Sequence, residues 1–433
     1  MKLFGTDGVR GPAGSFLTAE LAYKLGLYAT HRLKKQYENP QILIGTDTRI
    51  SCDMLKAAIS SGIMSAGGTV IDAGVLPTPA VAFLVKQNKY AAGVVISASH
   101  NAFYDNGIKF FNSAGHKLAD EIEQEIEKLI TENTSITNLT HEKIGIIKEG
   151  NECSDYISFV RSKLISNKKL KVAIDTANGA TYKHAYEIFS DFFDVSIINN
   201  EPNGININDN CGSTYMEPLR RYVLENKLDL GIAFDGDGDR MLAVDSNGNL
   251  INGDELMLIF STYLYKKGTL AKNTLVSTIM SNSALHESLL EKGISTVKTK
   301  VGDRYVLEEM LKNGYSLGGE DSGHIIFLDE ATTGDGLLSA AMLLSIISEK
   351  GSLDELNTLV RYPQITIAAP ADDDKKQNFE TKELLQKIDE LKQKHSAVTV
   401  RASGTEPVIR ITIEGKDKEE IMNDAQIIRS MIC

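Results

Sequence analysis

The sequence predicts an α/β fold of three similar domains on mixed sheets, followed by a small C-terminal α+β domain. An apolar run, a small polar loop and a helix-like segment follow one another three times, beginning at Ile42, Val172 and Thr274. This order is typical of α/β units. The last part differs, because from about Tyr362 it has one long charged helix pattern over residues 375–394, then a strand, a glycine loop, a strand and a final helix.

Length and polar, weakly patterned segments set the expected domain boundaries. A chain of 433 residues is too long for one hydrophobic core. Polar stretches at 131–151, at 245–249 and at Tyr362-Pro363 interrupt the apolar patterning. We therefore expect four domains, which are residues 1–147, 148–249, 250–361 and 362–433.

Composition and charge argue against several classes of partner and site. The net charge of −12 disfavours binding to nucleic acid or to an anionic membrane surface. The four cysteines include no Cys-x-x-Cys spacing, so neither a zinc site nor a disulfide framework is expected. The N-terminus lacks an apolar signal region, and the longest apolar run, near residues 337–347, is too short to span a bilayer. A cytoplasmic location is the expectation.

A loop of three aspartates is a candidate metal site. Asp235, Asp237 and Asp239 alternate with glycines directly after a strand-like apolar run, and α/β proteins bind ligands at the carboxyl ends of such strands. Carboxylate oxygens suit Mg²⁺ or Ca²⁺. An EF-hand calcium loop is excluded, because Arg240 and Ser246 stand where that loop requires glycine and glutamate. A solvated acidic turn is the remaining alternative.

Ser99 is a candidate nucleophile. It lies in Ile-Ser-Ala-Ser-His-Asn (residues 96–101), between an apolar run and the polar turn that begins at Tyr104. The serine-hydrolase elbow is excluded, because it requires glycine two residues to either side, where Ser97 and Asn101 stand. A polar capping turn is the alternative. A serine that carries phosphate and an acidic loop that holds a hard cation together indicate phosphoryl transfer.

The combined charge of these two loops requires cations nearby. Three carboxylates and a phosphoserine dianion exceed the charge of one divalent cation by about three units. Arg240 is adjacent in sequence, and Arg10 and Lys109 are further candidates. Lys109 is flanked by Ile108 and Phe110, so partial desolvation is expected to lower its pKa and suit it to proton transfer. A surface lysine whose ammonium reaches solvent is the alternative.

Two further glycine loops offer polar groups for a phosphorylated sugar. Glu320, Ser322 and His324 lie in one glycine-rich loop, whose mixed donors and acceptors suit sugar hydroxyls. The segment 401–407 with Arg410 offers guanidinium groups, hydroxyls and backbone N–H groups, as a phosphate site requires. Simple connecting turns are the alternative for both. No Gly-x-x-x-x-Gly-Lys-Ser/Thr sequence occurs, so the chain lacks the phosphate anchor of ordinary nucleotide kinases.

Taken together, the loops resemble those of the α-D-phosphohexomutase superfamily and, most closely, the bacterial phosphoglucosamine mutases. The matching segments occur in the family's order from residue 4 to residue 410, so the resemblance covers essentially the whole chain. One departure is Ala102, where the family usually has proline, and we expect a more mobile serine loop there. The matching segments are Phe4–Gly11, Ser97–Asn101, Asp105–Phe111, Asp235–Arg240, Gly319–His324, Thr332–Gly336 and Arg401–Arg410.

The resemblance implies a fold, a reaction and its cofactors. The fold is four domains around a central cleft, of which the last is mobile and binds phosphate. The reaction interconverts glucosamine 6-phosphate and glucosamine 1-phosphate through a phosphoserine at Ser99 and a glucosamine 1,6-bisphosphate intermediate. It supplies amino-sugar nucleotide precursors of the cell wall. One Mg²⁺ per chain and a phosphorylated amino-sugar substrate are implied, and the expected state is a monomer or a homodimer.

The resemblance also implies a role for each candidate residue. The implied roles are catalysis for Ser99, Lys109, His100 and Arg10; metal binding for Ser99, Asp235, Asp237 and Asp239; orientation of the phosphoserine for Arg240; sugar binding for Glu320, Ser322 and His324; and phosphate binding for Arg401, Ser403, Gly404, Thr405 and Arg410, with Arg304 as a weaker cleft candidate.

Three alternative functions remain open on the sequence. The first is a phosphoglucomutase or phosphomannomutase of the same superfamily, because the loop 320–324 is compatible with several hexoses. The second is a non-catalytic sugar-phosphate sensor, which would be expected to lose the serine or the aspartates; all are present. The third is a Mg²⁺-dependent phosphatase with an aspartyl nucleophile, for which Asp7 is a candidate that no other feature supports.

Overall fold

Four β-sheets, each built from one stretch of chain, organise the part of the protein that the structure describes. The structure is a computed structural model that describes residues 3–5, 7–136, 139–150, 153–403 and 407–432. The chain divides into two compact units, one of Met1–Ile279 with Thr296–Thr358 and one of Met280–Ser295 with Leu359–Cys433. Within the described ranges, no helix is long and apolar enough to cross a membrane.

The first sheet leads into the serine loop. Its strand order is β1-β5-β4-β2-β3-β6, in which β2 is parallel to β3 and β4, and β5 is antiparallel to β4. All five residues of β4 are buried, as expected of an apolar run in the centre of a sheet. The chain leaves β4 directly into the segment that contains Ser99. The elements are β1 Val9–Pro12, α1 Ala19–Leu33, β2 Gln41–Thr46, α2 Cys52–Ser65, β3 Thr69–Val75, α3 Thr78–Gln87, β4 Ala92–Ile96, β5 Asp105–Asn112, α4 Asp120–Thr131 and β6 Ile147–Glu149.

The second sheet leads into the aspartate loop. Its strand order is β11-β10-β9-β7-β8. Strand β9 is entirely buried and forms an antiparallel hairpin with β10, in which Phe234 pairs with Met241. The three aspartates therefore lie in the connection of a hairpin whose first strand is central in the sheet. The elements are α5 Cys153–Arg161, β7 Lys171–Asp175, α6 His184–Phe189, β8 Asp194–Ile198, α7 Glu217–Asn226, β9 Leu230–Phe234, β10 Met241–Asp245 and β11 Leu250–Ile251.

The third sheet carries the loop predicted to bind sugar. Its strand order is β13-β12-β14-β15, and the antiparallel pair β14–β15 is joined by residues 320–324. Helix α8 begins with a capping box, in which Asn252 and Glu255 satisfy each other's backbone N–H groups. The elements are α8 Gly253–Lys267, β12 Thr274–Thr278, β13 Ser295–Thr299, α10 Asp303–Asn313, β14 Leu317–Gly319, β15 Ile325–Phe327, α11 Gly336–Lys350 and α12 Leu353–Leu356.

The second compact unit is a small antiparallel sheet covered by helices. Its strand order is β16-β18-β17. In β18, Ile409, Ile411 and Ile413 alternate with more exposed residues and are fully buried in the core of this unit. The elements are α9 Ser283–Glu291, β16 Gln364–Pro370, α13 Asp373–Asn378, α14 Lys382–Lys394, β17 Ala397–Ala402, β18 Val408–Glu414 and α15 Lys418–Ile432.

The predicted fold class is confirmed, with one error of detail. The helix predicted as continuous over 375–394 is wrong, because α13 ends at Asn378 and α14 begins at Lys382. Phe379 packs against the apolar core of the unit, and the Thr381 side chain accepts a hydrogen bond from the N–H of Leu384. A cap and a partly buried aromatic therefore divide the charged pattern. The four domain boundaries remain a prediction.

Candidate active site

The serine loop and the aspartate loop meet within hydrogen-bond distance. Ser99 Oγ lies 2.6 Å from Asp235 Oδ2, and both side chains are buried. Gly236 allows this approach, because a Cβ atom at that position would lie 2.6 Å from the carbonyl oxygen of Ser99. The structure thus brings the predicted nucleophile and the predicted metal ligands together across 136 residues of sequence.

The three aspartates form a buried oxygen cluster. Asp235, Asp237 and Asp239 each offer one carboxylate oxygen, and these oxygens lie within 4.8 Å of one another. Burial, together with the charges of the other two aspartates, raises the pKa of Asp235 well above its usual value. The Oδ1 atoms of Asp237 and Asp239 are buried without a hydrogen-bond partner among the described residues. Repelling carboxylates with unsatisfied oxygens fit a hard divalent cation such as Mg²⁺.

Asp237 and Lys109 form a buried ion pair. Lys109 Nζ lies 2.9 Å from Asp237 Oδ2, which also accepts a 2.7 Å hydrogen bond from Thr78 Oγ1. Burial alone would raise the pKa of Asp237, but the charge and hydrogen bonds of its partners outweigh it and lower that pKa.

The expectation that desolvation lowers the pKa of Lys109 is wrong. Burial acts in that direction, but Asp237 and Asp7 outweigh it and raise the pKa of Lys109 above its usual value. Lys109 is therefore held as an ammonium ion.

A network that the sequence did not reveal fixes the serine loop. Ser99 has a left-handed backbone with φ of +51°, which is unfavourable for a residue with a Cβ atom. The buried guanidinium of Arg49 donates hydrogen bonds to the carbonyl oxygens of Ser99 (2.9 Å) and Asn101 (2.8 Å) and also to that of Ala102. Asn208, which precedes the aspartate loop in sequence, donates to the same carbonyl of Ser99 at 2.9 Å.

The base of this network is a carboxylate beneath the loop. Asp47 accepts hydrogen bonds from Arg49 Nε (2.8 Å) and from Ser97 Oγ (2.6 Å), and Ser97 Oγ in turn accepts one from the N–H of Ser99. Arg49 also holds the carbonyl of Ala102, where the family usually has proline, and the greater mobility expected there stays a prediction. The only sequence signal for Asp47 and Arg49 is their place after β2, at the carboxyl end of a parallel strand.

The N-terminal loop adds Asp7 and Arg10 to the site. Gly8 lets this loop lie against β5, because its φ is +78° and a Cβ atom there would lie 2.3 Å from the carbonyl oxygen of Ile108. Asp7 Oδ2 lies 3.0 Å from Arg10 Nη2 and 2.9 Å from Lys109 Nζ. Asp7 is thus a paired carboxylate between cations, and this arrangement does not favour an aspartyl nucleophile.

His100 and Arg240 flank the serine and the aspartates. His100 Nδ1 lies 3.3 Å from Ser99 Oγ. Burial, with the nearby charges of Arg240 and Arg10, lowers the pKa of His100, so its ring is neutral near pH 7. The Arg240 N–H donates to Asp235 Oδ1 at 3.1 Å, and Arg240 Nε lies 3.8 Å from Asp239 Oδ1.

In the loop 320–324, His324 is engaged by other protein groups. His324 is buried; its Nδ1 lies 3.6 Å from Asp239 Oδ2, and its Nε2 accepts a 3.1 Å hydrogen bond from the N–H of Gly334. These contacts join His324 to protein groups rather than leave it open to a ligand. Glu320 and Ser322 are partly exposed, and burial raises the pKa of Glu320.

Arg304 lies at the start of α10 and is engaged by neighbouring carboxylates. Its side chain contacts Asp120, and its Nε lies 3.0 Å from Glu308 Oε1. These contacts satisfy its charge locally, and they give no support to the weaker cleft role predicted for it.

The predicted phosphate site lies in the second compact unit. Arg401 and Arg410 are directly opposite each other in the antiparallel pair β17–β18. Two like charges in such a pair repel each other, which an anion between them would relieve. The N–H of Ser403 donates to the carbonyl of Val408 and closes the connection. The predicted positions Gly404 and Thr405 lie outside the described residues.

Family models match the chain in four successive parts. Phosphoglucomutase/phosphomannomutase alpha/beta/alpha domain I matches residues 1–137, domain II matches 154–248, domain III matches 252–362 and the C-terminal domain matches 366–430. The chain belongs to the phosphoglucomutase/phosphomannomutase family, within the α-D-phosphohexomutase superfamily. It is therefore a phosphomutase, an isomerase.

Relatives that match this phosphomutase over nearly its full length are phosphoglucosamine mutases. The chain is 48% identical to a phosphoglucosamine mutase of Caldicellulosiruptor bescii, over 100% of this chain and 98% of that protein. It is 50% identical to one of Ruminiclostridium cellulolyticum, over 98% and 97% of the two chains. Recognition as a phosphoglucosamine mutase relative is confirmed.

Solved structures share the fold of this phosphomutase at low identity. A phosphoglucomutase/phosphomannomutase family protein of Burkholderia thailandensis has a TM-score of 0.83 and 21% identity, with 100% of this chain and 97% of that chain covered. Aspergillus fumigatus N-acetylphosphoglucosamine mutase in complex with GlcNAc-6P and magnesium has a TM-score of 0.68 and 18% identity, with 99% and 95% covered.

Proposed function

We propose that this phosphomutase interconverts glucosamine 6-phosphate and glucosamine 1-phosphate, with Ser99 as the phosphoryl carrier and a glucosamine 1,6-bisphosphate as the intermediate. The relatives of about half-identical sequence support the amino sugar. The product would feed the amino-sugar nucleotides from which the cell wall is made. The observation that carries the mechanism is the 2.6 Å contact between Ser99 Oγ and Asp235 Oδ2 in a cluster of three carboxylates.

In the proposed mechanism the phosphoryl group moves between Ser99 Oγ and a sugar hydroxyl. The oxygen of the sugar hydroxyl attacks phosphorus, and the bond between phosphorus and Ser99 Oγ breaks. The sugar hydroxyl loses its proton, and Ser99 Oγ gains a proton. The bisphosphate then turns over within the cleft and transfers its other phosphoryl group to Ser99 Oγ, which restores the phosphoserine and releases the isomeric monophosphate. The left-handed backbone and the Arg49 hydrogen bonds fix where Ser99 Oγ lies, which supports transfer by positioning.

Asp235, Asp237 and Asp239 are proposed to hold one Mg²⁺ beside Ser99. When bound, the cation offsets negative charge on the transferring phosphoryl group. Before any cation binds, burial and the charges of Asp239 and Asp237 make the ionised form of Asp235 unfavourable, which agrees with its raised pKa.

Lys109, Arg10, His100 and Arg240 are proposed to surround the transferring group. Lys109 was predicted as a general acid or base. Its raised pKa holds it as an ammonium ion, which disfavours the base role and makes it a weak acid, so it is proposed to donate a hydrogen bond to the oxygen that leaves phosphorus. Neutral His100, 3.3 Å from Ser99 Oγ, is suited to hold that oxygen, and the guanidinium groups add positive charge.

Substrate contacts are proposed for two further sets of residues. Glu320, Ser322 and His324 remain proposed sugar ligands, of which His324 needs to release its present protein contacts to reach a hydroxyl. Arg401, Ser403 and Arg410, with Gly404 and Thr405, are proposed to bind the phosphate that does not react. The direct opposition of the two arginines across β17–β18 supports this proposal.

Comparison of three sugars tests the proposed function. Glucosamine, glucose and mannose 6-phosphates are supplied separately, with and without the corresponding 1,6-bisphosphate, and the 1-phosphates are measured. We expect the highest kcat/KM for the glucosamine compound. A higher value for glucose or mannose phosphate would assign the chain to the alternative, a phosphoglucomutase or phosphomannomutase, and release of inorganic phosphate without isomer would indicate a phosphatase.

A further inference from the structure

Lys117 bridges two carboxylates at the edge of the candidate active site. Its Nζ lies 2.6 Å from Asp7 Oδ1 and 2.6 Å from Asp303 Oδ2. Lys117 follows β5 and Asp303 begins α10, so the bridge joins a segment next to the first sheet to a segment next to the third. Burial alone would lower the pKa of Lys117, but Asp303 and Asp7 outweigh it and raise that pKa.

Asp7 connects this bridge to the groups proposed to transfer phosphate. Besides Lys117, it pairs with Arg10 Nη2 at 3.0 Å and with Lys109 Nζ at 2.9 Å, and Lys109 pairs with Asp237. Positive and negative groups therefore alternate from Asp303 through Lys117, Asp7 and Lys109 to the aspartate loop. Because one carboxylate is shared by three cations, a shift of Asp7 changes a contact of both Arg10 and Lys109.

Asp303 connects the other end of the bridge to the loop 320–324. The N–H of Gly302 donates a 3.1 Å hydrogen bond to Glu320 Oε1, and Asp303 Oδ2 lies 3.7 Å from His324 Nε2. The turn that carries Asp303 is thus held by the loop proposed to bind sugar. Within the described contacts, Lys117 is the direct link between that turn and Asp7.

We propose that Lys117 is a positioning residue. By bridging Asp7 and Asp303, it holds Arg10 and Lys109 in place relative to the aspartate loop and to the loop 320–324. The proposal rests on the proposed function, because that function places Arg10 and Lys109 around the transferring phosphoryl group. Lys117 acts through Asp7 and needs no contact with the reacting atoms. Its loss therefore affects turnover more than substrate affinity.

Steady-state kinetics of Lys117→Met test the proposal. Displacement of catalytic groups by a fraction of an ångström to 1 Å lowers rates by about 10- to 100-fold. We expect kcat to fall about 10-fold or more while KM stays within about threefold. Lys117→Arg keeps the charge, and its guanidinium has donors for both carboxylates, so it is expected to restore kcat to within about threefold of wild type. Equal kcat values for Lys117→Met and wild type would overturn the proposal, as would a loss of kcat in Lys117→Arg as large as that in Lys117→Met.

Lys56→Met is the matched control. Lys56 pairs with Asp72 at 2.9 Å, and the exposed fractions of that pair, 23% and 24%, resemble the 21% and 22% of Lys117 and Asp303. Lys56→Met breaks one such ion pair and Lys117→Met breaks two, so kcat of each variant is measured well below its own melting temperature. We expect an unchanged kcat for Lys56→Met. A similar fall of kcat in both variants would show a general effect of stability and would overturn the positioning role.

A double variant and a crystal structure complete the test. If the bridge acts as one unit, Lys117→Met/Asp303→Asn loses no more kcat than Lys117→Met alone, whereas losses that multiply would contradict the bridge. In a crystal structure of Lys117→Met, Asp7 is expected to shift away from Lys109 or Arg10. Retention of both contacts at wild-type distances would overturn the positioning role of Lys117. Failure of the wild-type protein to isomerise any of the three sugar phosphates would refute the proposed function, and the crystal structure would still test the positioning role.

Discussion

Gly236→Ala is expected to slow turnover with little loss of fold, because it separates the serine and aspartate loops. A Cβ atom at position 236 would lie 2.6 Å from the Ser99 carbonyl oxygen, 2.7 Å from Asn208 Nδ2 and 2.9 Å from Ile207 Cδ1. Real Cβ contacts are essentially never under 3.0 Å, and ordinary ones begin at 3.4 Å. The loops must therefore separate by about 0.4 to 0.8 Å, by difference from the Ser99 contact.

A shift of this size acts directly on the proposed transfer geometry. Since a 1 Å misplacement of reacting groups can cost about 100-fold in rate, we expect kcat to fall about 10- to 100-fold. The assay is steady-state isomerisation of glucosamine 6-phosphate at saturating Mg²⁺, with thermal unfolding measured on the same samples.

Gly268→Ala provides the control for the general cost of the substitution. Gly268 ends α8 with φ of +70°, and a Cβ atom at this position would have no atom of the described residues within 4 Å, so alanine there strains only the backbone. It is expected to lower stability by about 1 kcal/mol and to leave kcat unchanged. A folded Gly236→Ala protein with a kcat within twofold of wild type would refute the reasoning that the two loops work in contact.

Four further predictions follow from the site. Ser99→Ala should abolish isomerisation, and intact mass before and after phosphatase treatment should differ by one phosphoryl group in wild type but not in Ser99→Ala; appreciable turnover by this variant would remove Ser99 as the carrier. Exhaustive chelation should remove activity and added Mg²⁺ should restore it, whereas activity that survives chelation would contradict the metal assignment. Arg401→Ala should mainly raise KM, and an unchanged KM would count against a phosphate contact. Asp335 precedes α11 and accepts hydrogen bonds from the Tyr156 hydroxyl (2.9 Å) and the N–H of Leu338 (3.0 Å). Burial raises its pKa to about 6, so the stability of the folded state falls as pH rises from about 4 through the folded pKa and then levels off. From about pH 5 to about pH 7, wild type should lose about 1 kcal/mol of unfolding free energy relative to Asp335→Asn, and parallel stability curves for the two proteins would contradict this.

The loops of the site could be predicted because their residues are contiguous. The apolar run of β9 ends at Phe234, and the alternation of aspartate with glycine after it can only be a polar loop at a strand end. The same reasoning located Ser99 after β4. Local sequence therefore carried both the elements and the candidate chemistry of each loop.

Properties that depend on distant partners could not be predicted. The pKa of Lys109 depends on Asp237, 128 residues away, and on Asp7; the apolar neighbours of Lys109 in sequence gave the opposite direction. Arg49 lies on a different loop from the carbonyl groups it holds, so no local pattern marks it as part of the serine loop. The break between α13 and α14 likewise depends on where Phe379 packs against the core of the second compact unit.

A crystal structure with Mn²⁺ in place of Mg²⁺ tests the central claim most directly, because anomalous scattering locates the ion. We expect one peak bound by Asp235, Asp237 and Asp239 and adjacent to the oxygen of Ser99 or to a phosphoryl group on it. A peak elsewhere, or none at the three aspartates in a crystal of active protein, would contradict phosphoryl transfer from Ser99 beside a metal ion held by this loop.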